Sequence, residues 1–230
     1  MRRRHFAFAA LSMTLPPVWA SARAGAGVTV LELFTSQGCS SCPPADALLG
    51  ELARRPGTIC LSWHIDYWNR LGWRDPFAQA AWTERQHSYA RALGEEVYTP
   101  ALVVNGAAMV VGSDRAQVER AIGGAPAPMV AVGLRREASG LSAEIGPLPG
   151  AASGLLVVYD PEQTTRVGAG ENHGRRLVEY RVARQAIPVE ISGGRLALPP
   201  VPDTSGAALL LRDASGRIMG AADLPPAKPS

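Results

Sequence analysis

Hydrophobic positions along the chain follow two rhythms. From Val28 to Gly124, continuous apolar runs alternate with stretches in which apolar residues recur every three or four positions; from Val130 onward, short runs and period-two alternation dominate. Val28–Phe34 and residues 58–65 are β-branched, apolar runs of strand length, of the kind buried on both faces. Between them Leu48, Leu49 and Leu52 recur at helical spacing, behind Pro43 and Pro44, whose missing N–H groups would have no partner in a helix's first turn. A second helix is predicted over 76–93, with Ala78, Trp82, Tyr89 and Leu93 on one face and Gly94 at its end. A hairpin follows, Ala101–Asn105 and Met109–Val111 about an Asn105-Gly106 turn, and then a helix from Asp114 to Ile122 with Ser113 as its cap. The first strand–helix–strand unit should be parallel and right-handed, which brings His64 and Asp66 to the edge where the first strand ends.

The second rhythm begins after Ala125-Pro126-Ala127-Pro128. Val130, Val132 and Leu134 alternate, Leu155–Tyr159 is a buried run, Val178, Tyr180 and Val182 alternate again, and turn signals stand at Gly193-Gly194 and Ala214-Ser215-Gly216. Six or seven short strands so spaced predict a small β-sandwich packed on the first unit. The expected architecture is therefore α/β: a central mixed sheet over 26–124, a β-rich second domain over 128–224 and a disordered tail over 225–230.

Composition changes this picture at the start of the chain. Arg2-Arg3-Arg4, the apolar stretch Phe6–Leu15 and Ala20-Ser21-Ala22 have the three parts of a signal peptide over 1–22, which predicts a periplasmic or secreted bacterial protein. The apolar stretch is too short to span a bilayer, so no membrane span is expected once the leader is cleaved. Three of the 23 basic residues lie in this leader, leaving 20 against 20 acidic residues. That balance gives no basic surface for nucleic acid.

The chemistry centres on Cys39 and Cys42. They stand where a strand hands over to a helix N-terminus, whose unpaired N–H groups and dipole stabilise a thiolate. Cys39 is expected to be the more acidic and more exposed thiol, and two intervening residues put the pair within disulfide reach. A zinc half-site and an inert structural disulfide are the alternatives; the chain has neither a second Cys-x-x-Cys nor a His-x-x-x-His to complete a zinc site. Cys60, in an apolar run, reads as a buried small hydrophobe. The stretch from His64 to Pro76 is rich in aromatic and polar side chains: His64 can exchange a proton with the pair, or His64 and Asp66 can tie the loop while Trp68 and Trp73 pack beneath it. Arg85-Gln86 can reach the cysteines or form a solvated or buried structural face. The Gly-rich loop 166–176 carries Glu171, Asn172, His173, Arg175 and Arg176; it reads as a solvated hairpin, or as a recognition loop bent over the cysteines.

A strand leading into Cys-x-x-Cys, followed later by Thr99-Pro100 before a hairpin, resembles the thioredoxin-like fold. The resemblance implies a cis Pro100 facing the cysteines. More closely, Glu32–Asp46, His64-Ile65-Asp66-Tyr67-Trp68, Leu71–Asp75, Arg85-Gln86 with Tyr89, Tyr98-Thr99-Pro100 and Gly170–Leu177 resemble the family known as domain of unknown function 1223, exported bacterial proteins without an established substrate. Ser40 and Ser41 depart from the Gly-Pro of thioredoxin between its cysteines, and these two positions tune the redox pair.

The function expected from these residues is thiol–disulfide exchange without a cofactor, with protein or small-molecule thiols and disulfides as partners. Cys39 attacks, Cys42 resolves, Pro100 shapes the groove, His64 serves as acid or base, and Thr99, Trp68 and Asp66 contact substrate. Two rival expectations remain: a Cu(I)-binding module using Cys39 and Cys42, with or without His64, and an interaction domain with a structural disulfide.

Overall fold

The computed structural model describes residues 27–227. The expected leader and the last three residues of the tail lie outside the described residues. The first strand, β1 (Thr29–Thr35), leads through Cys39 and Cys42 into α1 (Pro43–Leu52), and β2 (Thr58–His64) returns parallel to it, with Thr35 opposite His64. After a short 3-10 turn (Tyr67–Leu71) come α2 (Ala80–Leu93), the hairpin β3 (Ala101–Val104) and β4 (Ala108–Val111), and α3 (Arg115–Gly124). β3 lies antiparallel to β1.

Period two along β1 sorts its side chains between two layers. Leu31 and Leu33 join Leu48, Leu49 and Leu52 of α1 and Val118 of α3; Val30 and Phe34 join Trp82 and Tyr89 of α2. Glu32 falls on the α2 face, where Arg85 meets it at 2.6 Å. Arg85 is thus part of a buried structural pair remote from the cysteines, and it lies over the rings of Trp63 and Tyr89. The second helix starts at Ala80, later than the sequence suggests, because Asp75 organises the preceding turn: its carboxylate accepts from the Phe77 N–H at 2.9 Å and its carbonyl from that of Ala78 at 3.2 Å.

The second half contributes seven strands, β5 (Val132–Glu137), β6 (Gly140–Ile145), β7 (Ser153–Arg166), β8 (Arg176–Glu190), β9 (Gly194–Leu198), β10 (Gly206–Arg212) and β11 (Ile218–Leu224). Here the expected sandwich differs in one respect: one of its two layers is shared with the first half. Strands β11-β10-β7-β8 continue the first sheet through β2, giving the eight-stranded order β11-β10-β7-β8-β2-β1-β3-β4. The small sheet β5-β6-β9 covers the outer part of that sheet, burying Val132, Leu134 and Leu141 against Leu156, Leu209 and Leu211. Gly193-Gly194 accordingly passes the chain from one sheet to the other, since β9 pairs with β6.

Two contacts seat β8 against the cysteine-bearing layer. The Tyr180 ring lies flush on α1 at Gly50, where a Cβ would stand 2.3 Å from the ring, so only glycine permits this approach. Within β8, Arg181 adopts a φ of 58° and its guanidinium donates to the Cys60 carbonyl at 3.0 Å while pairing with Asp223 at 2.8 Å. Cys60 itself is a free, buried thiol, and burial pushes its pKa up to about 12.

Candidate functional site

Cys39 and Cys42 are joined as a disulfide, their Cα atoms 5.4 Å apart. Cys42 is the N-cap of α1, with Pro43 and Pro44 in the first turn, and its carbonyl accepts from the N–H groups of Ala45 and Asp46 at 2.8 and 3.2 Å. The strand-to-helix placement of the pair is therefore as the sequence indicates. The exposure is not: Cys39 and Cys42 are both 0% exposed, so Cys39 is no more accessible than its partner. Side chains from several distant segments gather over the first cysteine.

One of these segments is the connection before β3. The Thr99 hydroxyl donates to Cys39 Sγ at 3.4 Å and accepts from the Trp68 indole N–H at 2.8 Å. Because the indole is donor only, it leaves the hydroxyl hydrogen free for the sulfur. Ser41 Oγ lies 3.3 Å from the same sulfur. The Thr99–Pro100 peptide bond is cis, the isomer implied by the resemblance. Thr99 and Trp68 thus meet at the cysteine. Asp66 serves a different purpose, accepting from the Thr83 hydroxyl at 2.6 Å and tying the loop after β2 to α2.

His64 is wholly buried, and its Nδ1 lies 2.7 Å from Asp75 Oδ2. Its hydrogen-bond partner is thus a carboxylate and not a cysteine. Burial disfavours the imidazolium, but the Asp75 carboxylate outweighs it and raises the pKa to about 9. The same carboxylate oxygen accepts from the Gln37 N–H at 2.9 Å, which links His64 to the turn before Cys39. Asp46 of α1 lies in the same buried polar cluster, where burial raises its carboxyl pKa to about 7 against the opposing His64 charge and Thr35 hydroxyl. Glu179 of β8 is also raised by burial. Asp46 Oδ1, Glu179 Oε2, His64 Nε2 and Thr35 Oγ1 are all buried without a protein hydrogen-bond partner.

The loop between β7 and β8 packs on the turn that carries Cys39, as the second of its two sequence readings has it, while Glu171, His173 and Arg175 stay exposed. Asn172 is 0% exposed, and its amide donates to the carbonyls of Gln37 and Cys39 at 3.0 and 2.9 Å. Glu171 Oε2 accepts from the Ser40 N–H at 3.0 Å. Arg175 supports Asn172, donating to its Oδ1 at 2.8 Å. Gly168 lets the loop lie on the Trp73 ring, where a Cβ would stand 2.9 Å away. Trp73 in turn donates to Gln37 Oε1 at 3.0 Å, and the Gln37 amide donates to Glu179 Oε1 at 2.9 Å.

Spacing and motif do not single out Gln37, Asp46, Asp75 and Glu179 as partners of the pair. Asn172 belongs to the Gly-rich loop 166–176, whose sequence fits a turn as well as a loop bent over the cysteines. Among the described residues, no group of three or more His, Cys, Asp or Glu side chains is arranged to hold a metal ion, and no helix is long and apolar enough to cross a membrane.

A family model described as a protein of unknown function, DUF1223, matches residues 30–204. A crystal structure of a protein from Agrobacterium tumefaciens is 32% identical, with a TM-score of 0.76 over 90% of this chain and 98% of that one. HBP35 of Porphyromonas gingivalis, 12% identical with a TM-score of 0.56 over 89% of this chain and 76% of that one, is similar in fold alone. No protein with a curated function matches.

Proposed function

This chain belongs to the DUF1223 family, and we propose that it is a thiol–disulfide oxidoreductase built on a thioredoxin-like frame. The observation that carries this reading is the Thr99 hydroxyl at 3.4 Å from Cys39 Sγ, at a Cys-x-x-Cys pair that caps a helix directly after a strand. Hydroxyl donors and helix N–H groups favour negative charge on sulfur, which is what an attacking or leaving thiolate requires.

In the reduced protein the Cys39 thiolate attacks one sulfur of a substrate disulfide. The substrate S–S bond breaks, a mixed disulfide forms, and the departing substrate thiolate takes up a proton. Cys42, having released its own proton, then attacks Cys39 Sγ, closes the Cys39–Cys42 disulfide and frees the second substrate thiolate, which is protonated in turn. Two electrons and two protons pass to the substrate, and a dithiol reductant runs the same steps backward. Both cysteines are fully buried, so exchange in either direction requires the residues around them to move. The leader read at the N-terminus supports a site of action outside the cytoplasm, where such a pair can rest oxidised.

A structural disulfide is the second reading, and the complete burial of both sulfurs favours it. Equilibration in glutathione buffers, followed by alkylation and mass analysis, separates the two. A Cys39–Cys42 potential between roughly −120 and −270 mV supports the exchange catalyst; a pair still closed well below about −300 mV overturns it. Retained exchange activity in Cys39→Ser would equally end the proposal.

A further inference from the structure

A carboxylate occupies the backbone donor next to the first cysteine. The Ser40 N–H lies in the turn that separates Cys39 from Cys42 at the start of α1, and Glu171 Oε2 accepts from it at 3.0 Å. In a Cys-x-x-Cys turn such N–H groups stabilise negative charge, and the thiolate of the first cysteine is the charge that benefits. Here a second anion already uses one of them. Its position is held by its neighbour, since Asn172 is buried and bonded to the carbonyls of Gln37 and Cys39. Hydrogen bonds from the Ser40 hydroxyl and N–H keep the Glu171 carboxyl below the usual range, so it is ionised at neutral pH.

We infer that Glu171 is a positioning residue of the redox pair that makes Cys39 a weaker acid than its helix N-terminus alone would. It acts through Ser40, drawing that N–H away from sulfur and setting a like charge beside the site where the thiolate forms. The inference rests on the reading of Cys39 as the attacking thiol. It gives the second half of the chain a defined part in the chemistry: the loop between β7 and β8 holds back the nucleophile, and releasing the loop activates it.

The other groups around the pair are accounted for. Thr99 and Ser41 place hydroxyls at Cys39 Sγ, and Trp68 orients the Thr99 hydroxyl. Asp46, His64, Asp75 and Glu179 form the buried cluster at the start of α1, and His173 and Arg175 flank Glu171's neighbour Asn172 on the loop. Replacing Glu171 changes the charge of none of them.

The test uses Glu171→Gln, which keeps a carbonyl to accept from Ser40 and removes only the charge. In a Cys42→Ser background Cys39 titrates apart from Cys60, whose pKa burial holds at about 12. The ultraviolet absorbance of the thiolate, which needs no access to the sulfur, is followed against pH. The expected result is an inflection at lower pH in Glu171→Gln, with about two- to fivefold more thiolate at any pH below it. The difference should shrink in about 1 M salt, because the carboxylate is exposed and its field is screened. Glu171→Asp, which retains the charge, should titrate close to the parent. Superimposable curves for the parent and Glu171→Gln at low salt overturn the inference. So does a faster reaction with iodoacetamide at every pH without a moved inflection, which marks a loop that only shields the sulfur. Failure of the exchange reading is a separate result, since this titration needs a reduced thiol and no substrate.

Discussion

The side-chain amide of Asn172 donates to the carbonyl oxygen of Cys39 at 2.9 Å, from 133 positions further along the chain. The same amide reaches the Gln37 carbonyl at 3.0 Å, so one buried side chain ties down the backbone on both sides of Gly38. A loop from the second half is thereby part of the wall around a disulfide that belongs to the first.

Asn172→Ala should therefore loosen both the fold and the site. Two carbonyls lose a buried donor and Arg175 loses its acceptor, which predicts a loss of about 1–3 kcal/mol in urea unfolding. The same variant should be reduced faster by dithiothreitol, because the backbone on both sides of Gly38 is no longer tied down beside the disulfide. Unchanged stability and unchanged reduction would remove Asn172 from this role.

Thr99 should act on the acidity of Cys39 in the direction opposite to Glu171. Thr99→Val removes the hydroxyl donor to Sγ while keeping a β-branched side chain of similar shape. A hydrogen bond to an ionised group is worth about 1.5–3 kcal/mol, and the 3.4 Å contact to sulfur places this one at the weak end, so about tenfold less thiolate is expected below the inflection. Trp68→Phe, which only frees the hydroxyl to turn elsewhere, should give a smaller change in the same direction. The pH profile of thiolate absorbance reads both variants.

Stability should fall as pH rises from about 5 to 9. Burial raises the Asp46 carboxyl from its ordinary 3.8 to about 7. Between those values the folded protein holds a proton that the unfolded chain has lost, so stability declines across that window. His64 extends the trend: its stabilising contribution is complete below its ordinary 6.5 and is lost as pH rises through about 9. Asp75 works at the other end. Burial pushes its carboxyl up but the His64 charge prevails and holds it low, so its contribution is present above its ordinary range and disappears only in acid. Urea midpoints measured from pH 5 to 9 check the slope. Asp46→Asn should flatten the lower part of the window and add on the order of 2 kcal/mol at pH 8. A level profile in the parent protein would falsify this account of the cluster.

Much of the first half was legible in the chain. The Pro43-Pro44 start of α1, the Leu48, Leu49 and Leu52 stripe, the parallel β1–β2 pair and the Asn105-Gly106 hairpin follow from local rules of spacing and turn chemistry. The same rules misjudge the start of α2, because the Asp75 turn that delays it is anchored to Gln37, 38 residues earlier. They also misjudge the exposure of Cys39. Besides Ser41, two positions on, the Thr99 hydroxyl reaches the sulfur from another element and is oriented there by Trp68 of a third.

The sequence by itself determined the elements, the Cys39–Cys42 pair and its place at a helix start, since these depend on residues within a few positions of one another. The tertiary structure decided that the two halves share one sheet, because Ser62 of β2 meets Val182 of β8 and the edge left open by the first half is filled by the second. It also decided which polar groups surround the disulfide. Gln37 with Glu179, Ser40 with Glu171 and Cys39 with Asn172 are pairs separated by more than 130 residues. Periodicity carries no information over such distances; only the packing of β8 against β2 and α1 brings these side chains within hydrogen-bond reach.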